Sequence, residues 1–247
     1  MNYALKDLSM AGVCWELNEE PIKNVTNQYP GLQNPRTNPV NTETTVIVPP
    51  SAPISLDNAK SMAEKTDSLE SLIQTIREFN HPLRGGTTNV VLPNIANEPN
   101  GLLIITDFPS NDDDLSGRVL SGNAGDMVDK MLSAIEMSRK NVSILPLLFW
   151  RTPGGRTPTR EELDLSMPFV NKTIDMLNPH VIITFGTLAT NEIAKSNLND
   201  SHGKEITDNN GRIIIPMYHP NYLILKPSAK RDVWTALQNV EKLLKNV

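Results

Sequence analysis

Two hydrophobic periods alternate along this chain. Short, nearly continuous apolar runs at Leu102 to Ile105, Val142 to Trp150, Val181 to Phe185 and Arg212 to Met217 predict buried strands. Between them the apolar residues recur at helical spacing. Leu69, Leu72, Ile73, Ile76 and Phe79 mark one helix, opened by Asp67 or Ser68 and closed by Pro82. Met127, Met131, Leu132 and Ile135 mark a second, over about 124 to 138. A third opens on the T-x-x-E capping box from Thr159 to Glu162 and ends before Asn178-Pro179. Gly186-Thr187 turns the third strand into another helix, and a last one starts near Ala229. Residues 84–100 form a loop around one short strand at Val90 to Leu92. Strands alternating with helices in this way predict an α/β domain whose parallel sheet is covered on both faces.

The pattern fails before residue 57. Residues 1–28 carry Leu5, Leu8, Val13, Trp15 and Leu17 among acids, enough for one short helix, docked on the main domain or serving as a partner-binding peptide. Residues 29–56 scatter Pro30, Pro35, Pro39, Pro49, Pro50 and Pro53 among Asn and Thr and read as a linker, because they bury too little apolar surface to offset their ordering entropy. The folded domain is therefore expected over 57–247.

Composition narrows the classes. With 247 residues and 38% hydrophobic content the chain can bury one sizeable core with length to spare. A net charge of -5 argues against indiscriminate attraction to a polyanion, though a local basic face remains compatible with it. Cys14 is the single cysteine, which excludes a disulfide framework and any multi-thiolate metal centre within one chain. No run of about 18 apolar residues occurs, and MNYALKDLSM lacks the apolar core of a signal peptide, so a soluble cytoplasmic protein is expected.

Candidate chemistry collects at strand ends. Asp107 follows the first strand and precedes a loop rich in small residues, where open α/β sheets place their sites; it is also a residue that commonly caps a turn. The triplet Asp112, Asp113, Asp114 reads either as a solvated, self-repelling loop or as a metal site. Arg151 to Pro158 turns sharply at Pro153, Gly154 and Gly155 and offers planar donors suited to phosphate. His219 ends the fourth strand, whereas His81, His180 and His202 read as surface turn residues. Neither G-x-x-x-x-G-K nor G-x-G-x-x-G occurs, which removes the usual nucleotide-binding loops.

In this order the motifs resemble the type-4 class of the uracil-DNA glycosylase superfamily, from about Leu69 to Val247. Thr106-Asp107-Phe108-Pro109-Ser110 lies where that class has Gly-Glu-Ala-Pro-Gly, Asp113-Asp114 where it has Glu-Asp, and Gly117 to Asp129 follows its glycine-spaced motif without a gap. Arg151 to Pro158 is similar to its Arg-Pro-Pro-Gly-Asn-Arg-x-Pro. Phe185 to Ala189 is similar to its Leu-Gly-x-x-Ala, and His219 to Ile224 to its His-Pro-x-Tyr-Leu-Leu. The resemblance implies a three-layer α/β/α sandwich on a four-stranded parallel sheet, acting on uracil-containing DNA as a monomer. It places Asp107 on the water and sugar side of the scissile bond and His219 against the uracil oxygen. A base pocket of Phe108, Pro109, Asp113, Asp114, Leu120 and Pro146 is implied. So are DNA contacts from Arg151, Arg156, Asn221, Tyr222, Leu223, Lys226, Lys230 and Arg231, with the segment Asn221 to Leu225 wedging into the duplex.

Several positions depart from that class. Its stacking aromatic falls at Leu120, which has no π-face, and its uracil-reading asparagine falls at Pro146, which has no amide. Asp107 is a methylene shorter than Glu, and Phe108 adds a ring beside it. The [4Fe-4S] cluster that many members hold on four cysteines has its positions around His81, Trp150 and Ser166, so no cofactor is expected. Two functions follow: a repair glycosylase with an altered pocket, or a catalytically impaired module that keeps the fold to bind DNA or protein.

Overall fold

The computed structural model describes residues 55–245. The helix expected over 1–28, with Cys14, and the linker up to residue 54 lie outside them. The first helix, α1 (Leu56–Glu64), starts where the Ser55 hydroxyl accepts the Asn58 backbone N–H. α2 (Leu69–Glu78) is opened by Ser68 rather than Asp67, in a capping box with Ser71 that satisfies two otherwise free amides. Thereafter come β1 (Leu102–Thr106), α3 (Asn111–Ser116), α4 (Gly122–Ser133), β2 (Ser143–Pro146), α5 (Arg160–Leu177) and β3 (Val181–Phe185). The chain ends through α6 (Thr187–Ala189), α7 (Leu198–Ser201), β4 (Ile206–Thr207), β5 (Ile213–Met217), α8 (Pro220–Leu225) and α9 (Lys230–Lys245).

The sheet runs β2-β1-β3-β5-β4. Its first four members are parallel, with Ile104 opposite Ile144 and Ile183, and Ile183 opposite Ile215. A fifth strand corrects the expected four: β4 has only two residues and pairs antiparallel on the edge of β5, too short to leave a hydrophobic period in the sequence. Strand side chains alternate between the two faces. Leu102 and Ile104 pack with Val128, Leu132, Val233 and Leu237 of α4 and α9; Leu103 and Ile105 pack with Leu72, Phe169 and Val170 of α2 and α5. Three layers result, as expected.

Other boundaries moved for local reasons. The strand expected over 142–150 stops at Pro146, because β1 ends opposite it at Thr106; Leu147 N then donates to Thr106 O and Asp107 O, and the chain leaves the sheet. Val90 to Leu92 forms no strand, only an isolated bridge from Leu92 to Arg118. The helix expected to 138 ends at Ser133, shortly before Glu136 takes a left-handed φ of +58°. The aspartate triplet is not a loop but the first turn of α3, where carboxylates suit the helix N-terminus and Asp113 completes a capping box with Ser110.

His81 overturns its surface reading. It is buried and stacked on Trp150, ring centroids 4.3 Å apart and planes 3° from parallel. Its Nδ1 accepts Leu83 N at 3.2 Å and its Nε2 donates to Glu162 O at 2.9 Å, which fixes a neutral tautomer; burial lowers its pKa accordingly. Phe79 and Phe149 close the cluster around a fully buried Trp150. His180 does lie on the surface, and His202 is half-buried beneath Tyr218. We expect Trp150→Ala to cost about 3–5 kcal/mol and His81→Ala about 2 kcal/mol through the two backbone groups it leaves unpaired. Urea unfolding monitored by circular dichroism checks both.

Candidate active site

The sheet order reverses at β1, whose successors lie on opposite sides of it, and the crevice beyond the carboxyl ends of β1 and β3 is where such sheets hold ligands. Asp107 is the first residue past β1. Its Oδ1 accepts the Ala189 N–H of α6 at 2.7 Å, so the carboxylate is held against the backbone that leaves β3. Gly186 permits this approach: its φ is +97°, and a Cβ there would stand 2.2 Å from Asp107 Oδ2. Burial dominates the carboxyl, raising its pKa from 3.8 to about 6 against the opposing backbone donors Ala189 and Leu188.

His219 arrives from β5. It is the N-cap of α8, and its Nδ1 accepts Asn221 N at 3.2 Å, leaving Nε2 as the protonated nitrogen, 3.2 Å from Thr106 Oγ1. Burial lowers its pKa to about 4, partly offset by the Asp113 charge, so the ring is neutral at physiological pH. A neutral imidazole presenting Nε2–H is a hydrogen-bond donor, not an acid.

Both side chains line one cavity of about 310 Å³. Thr106, Phe108, Pro109, Asp113, Leu120 and Arg151 share its wall, and Asn111 and Asn221 lie exposed at its rim. Leu120 is held in a left-handed conformation, φ +51°, which strains a branched residue. Arg139 supports that turn through Nη1 to Val119 O at 2.8 Å and Nη2 to Leu120 O at 2.6 Å, and is itself braced by Asp129 at 2.6 Å. Arg139 was not singled out from the sequence; its role depends on a contact across 19 residues that has no local period.

Not every expected pocket residue is there. Pro146 sits in sheet register with Thr106 and is not part of the cavity wall. Asp114 faces away, accepting Thr88 N at 2.8 Å and Asn89 N at 3.1 Å and so fastening the preceding loop. Asp113 does line the cavity but is committed to Ser110 N and Ser121 N, tying α3 to the turn before α4.

The expected DNA contacts divide likewise. Arg156 is forked onto Glu162, at 2.8 and 2.5 Å, and that guanidinium is the main cause that lowers the Glu162 pKa to about 2. Its donors are therefore engaged within the protein. Arg151 lines the cavity instead of the outer loop face. Within the segment Asn221 to Leu225 expected to wedge into the duplex, Leu223 is buried in the core, whereas Leu225, at the end of α8, is 84% exposed and Ile224 40%. Tyr222 is exposed beneath the Lys226 ammonium, 5.7 Å from its ring, and Lys230 and Arg231 follow at the exposed start of α9.

A doubly covered, mostly parallel sheet with a carboxylate and a neutral histidine lining one cavity beyond its strand ends defines an α/β domain with an acid and an imidazole at its switch point. The sequence family model for the uracil DNA glycosylase superfamily matches residues 93–240, and the chain belongs to that superfamily. Its relatives include the type-4 uracil-DNA glycosylases of Archaeoglobus fulgidus, 27% identical over 71% of this chain and 94% of that protein, and Thermotoga maritima, 30% identical over 65% and 84%. That of Saccharolobus solfataricus is 25% identical over 62% of this chain and 76% of its own length.

The iron-sulfur cluster held by many type-4 enzymes does not fit the residues present. At its positions His81 and Trp150 are stacked on each other, and the Ser166 hydroxyl is spent on Leu147 O at 2.7 Å. None of these supplies a thiolate, the ligand such a cluster takes.

The desolvation of Asp107 carries a stability consequence. Because its folded pKa is raised, the native state binds more protons than the unfolded chain between about pH 4 and 6. Stability therefore falls as pH rises through that window. Asp107→Asn removes this dependence. We expect the variant to match the wild type near pH 4 and to exceed it by on the order of 2 kcal/mol at pH 7, read from urea unfolding at both pH values.

Proposed function

We propose that this protein is a DNA glycosylase that hydrolyses the N-glycosidic bond of a deaminated base, uracil being the base that the names of its relatives specify. The observation that carries the reading is the convergence of Asp107 and His219 in one cavity, each partly buried there with its pKa shifted by desolvation. A base extruded from the helix would enter that cavity. As the C1′–N bond breaks, its electron pair leaves with the base and positive charge builds on the sugar. The Asp107 carboxylate faces the sugar charge and takes a proton from the water that adds to C1′. His219 Nε2–H donates to the base oxygen that gathers the negative charge, a role for which the neutral ring is the right form.

Exposed Leu225 and Ile224 would fill the gap left in the stack, with Lys226, Lys230 and Arg231 against the backbone phosphates. Leu120 and Pro146 favour the second reading, a module that binds DNA or protein without excision, since neither restores what the type-4 pattern has there. Retention of a raised-pKa carboxylate supports the catalytic reading over it, because a purely binding fold would gain stability by losing Asp107.

Single-turnover excision from a labelled oligonucleotide tests this. The rate should rise between pH 5 and 7 with a midpoint near 6 as Asp107 ionises, with no second limb from His219, which stays neutral above pH 5. Asp107→Asn should lower the rate at least about 100-fold and flatten that profile, and His219→Ala should lower it about 100- to 1,000-fold. Leu225→Ala should slow excision from duplex DNA more than from single strands, which have no stack to open.

A further inference from the structure

One side chain of the cavity wall carries a buried polar atom without a partner, and the mechanism above leaves it idle. Arg151 lines the cavity with its Nε buried and without a partner, and among the described residues its guanidinium makes no hydrogen bond and no ion pair. It is also firmly placed. Trp150 before it is fully buried, and Thr152 after it is fully buried with its hydroxyl donating to Arg156 O. A buried Nε–H donor left unpaired on a fixed backbone is costly unless something in the cavity accepts from it.

We propose that Arg151 is the base-reading residue of this site and that its fork selects a deaminated purine, hypoxanthine, over uracil. The inference rests on the glycosylase reading and refines its substrate. Arginine only donates, and so does the neutral His219 through Nε2. The amides of Asn111 and Asn221 lie at the exposed rim, and Pro146 lies in the sheet, so the buried wall offers no amide. Uracil presents O4 between N3–H and C5–H, a single acceptor for the fork, and each base keeps one ring N–H, N3–H in uracil and N1–H in hypoxanthine, that a donor-only group does not meet. Hypoxanthine presents O6 and N7 side by side, two acceptors that a guanidinium engages through two parallel hydrogen bonds. Leu120 covers the base with an aliphatic face that does not distinguish ring systems. A cavity of about 310 Å³ accommodates either base. Guanine shows the same edge, but its full pairing makes extrusion dearer than that of a mispaired hypoxanthine.

The test compares full-length wild type with Arg151→Gln and Arg151→Lys on oligonucleotides carrying hypoxanthine, uracil or neither, with excision and equilibrium binding measured at several salt concentrations. The wild type should favour hypoxanthine over uracil by about tenfold or more, and both variants should lose that preference because their rates fall more on hypoxanthine than on uracil, since lysine keeps the charge but not the fork. A uniform loss across bases, with a salt slope lower by about one, would make Arg151 a phosphate contact and overturn the proposal, as would full rescue by lysine. Better excision of uracil than of hypoxanthine by the wild type would overturn it while leaving the glycosylase reading intact. If no base is excised, the glycosylase reading fails. Selective binding of hypoxanthine-containing DNA, lost in Arg151→Gln, would still support the assignment, and equal binding would end it.

Discussion

The site depends on one close contact, the Asp107 carboxylate laid against the backbone from Gly186 to Ala189. It joins the carboxyl ends of β1 and β3, the two strands flanking the point where sheet order reverses. Gly186 has to be glycine both for its left-handed φ and for the space a Cβ would take. The contact holds the carboxylate at the cavity while burial raises its pKa to about 6. Burial and backbone donation oppose each other here, and burial wins. The site thus carries a group that costs stability at neutral pH, a pattern expected where function rather than packing selects a residue.

Away from the site, rigidity comes from apolar stacking. The His81–Trp150 pair, with Phe79 and Phe149, fixes the chain as it leaves β2, and the neutral His81 links that segment to the start of α5 through Glu162 O. Glu162 in turn caps α5 and holds Arg156. The loop carrying Arg151 is therefore anchored at both ends by side-chain contacts. Across the cavity, Arg139 performs the equivalent service for the strained turn at Leu120.

Much of this architecture was legible in the sequence because buried strands and amphipathic helices have short periods. β1, β3, β5 and α5 fall where their apolar runs and capping box place them. The two-residue strand β4 and the one-turn helix α3 were missed, since each is decided by a partner or a cap rather than by a run. Asp107 and His219 were legible from their positions at strand ends and from the motif order. What sequence could not separate were neighbours with opposite fates. Asp113 lines the cavity while Asp114 fastens a loop; Arg151 lines it while Arg156 is forked onto Glu162; Leu223 is core while Leu225 is bare. One residue of helix or turn rotates a side chain from one environment to the other, and no local pattern records which.

The central claim is that the Asp107 and His219 pair breaks a glycosidic bond. It is tested most directly by incubating enzyme in excess with an oligonucleotide bearing a single deoxyuridine or deoxyinosine and identifying the products by mass. The account predicts a free base and an intact strand with one abasic site, formed by the wild type and not by Asp107→Asn or His219→Ala. Salt-sensitive binding of the same DNA with no base released would contradict it.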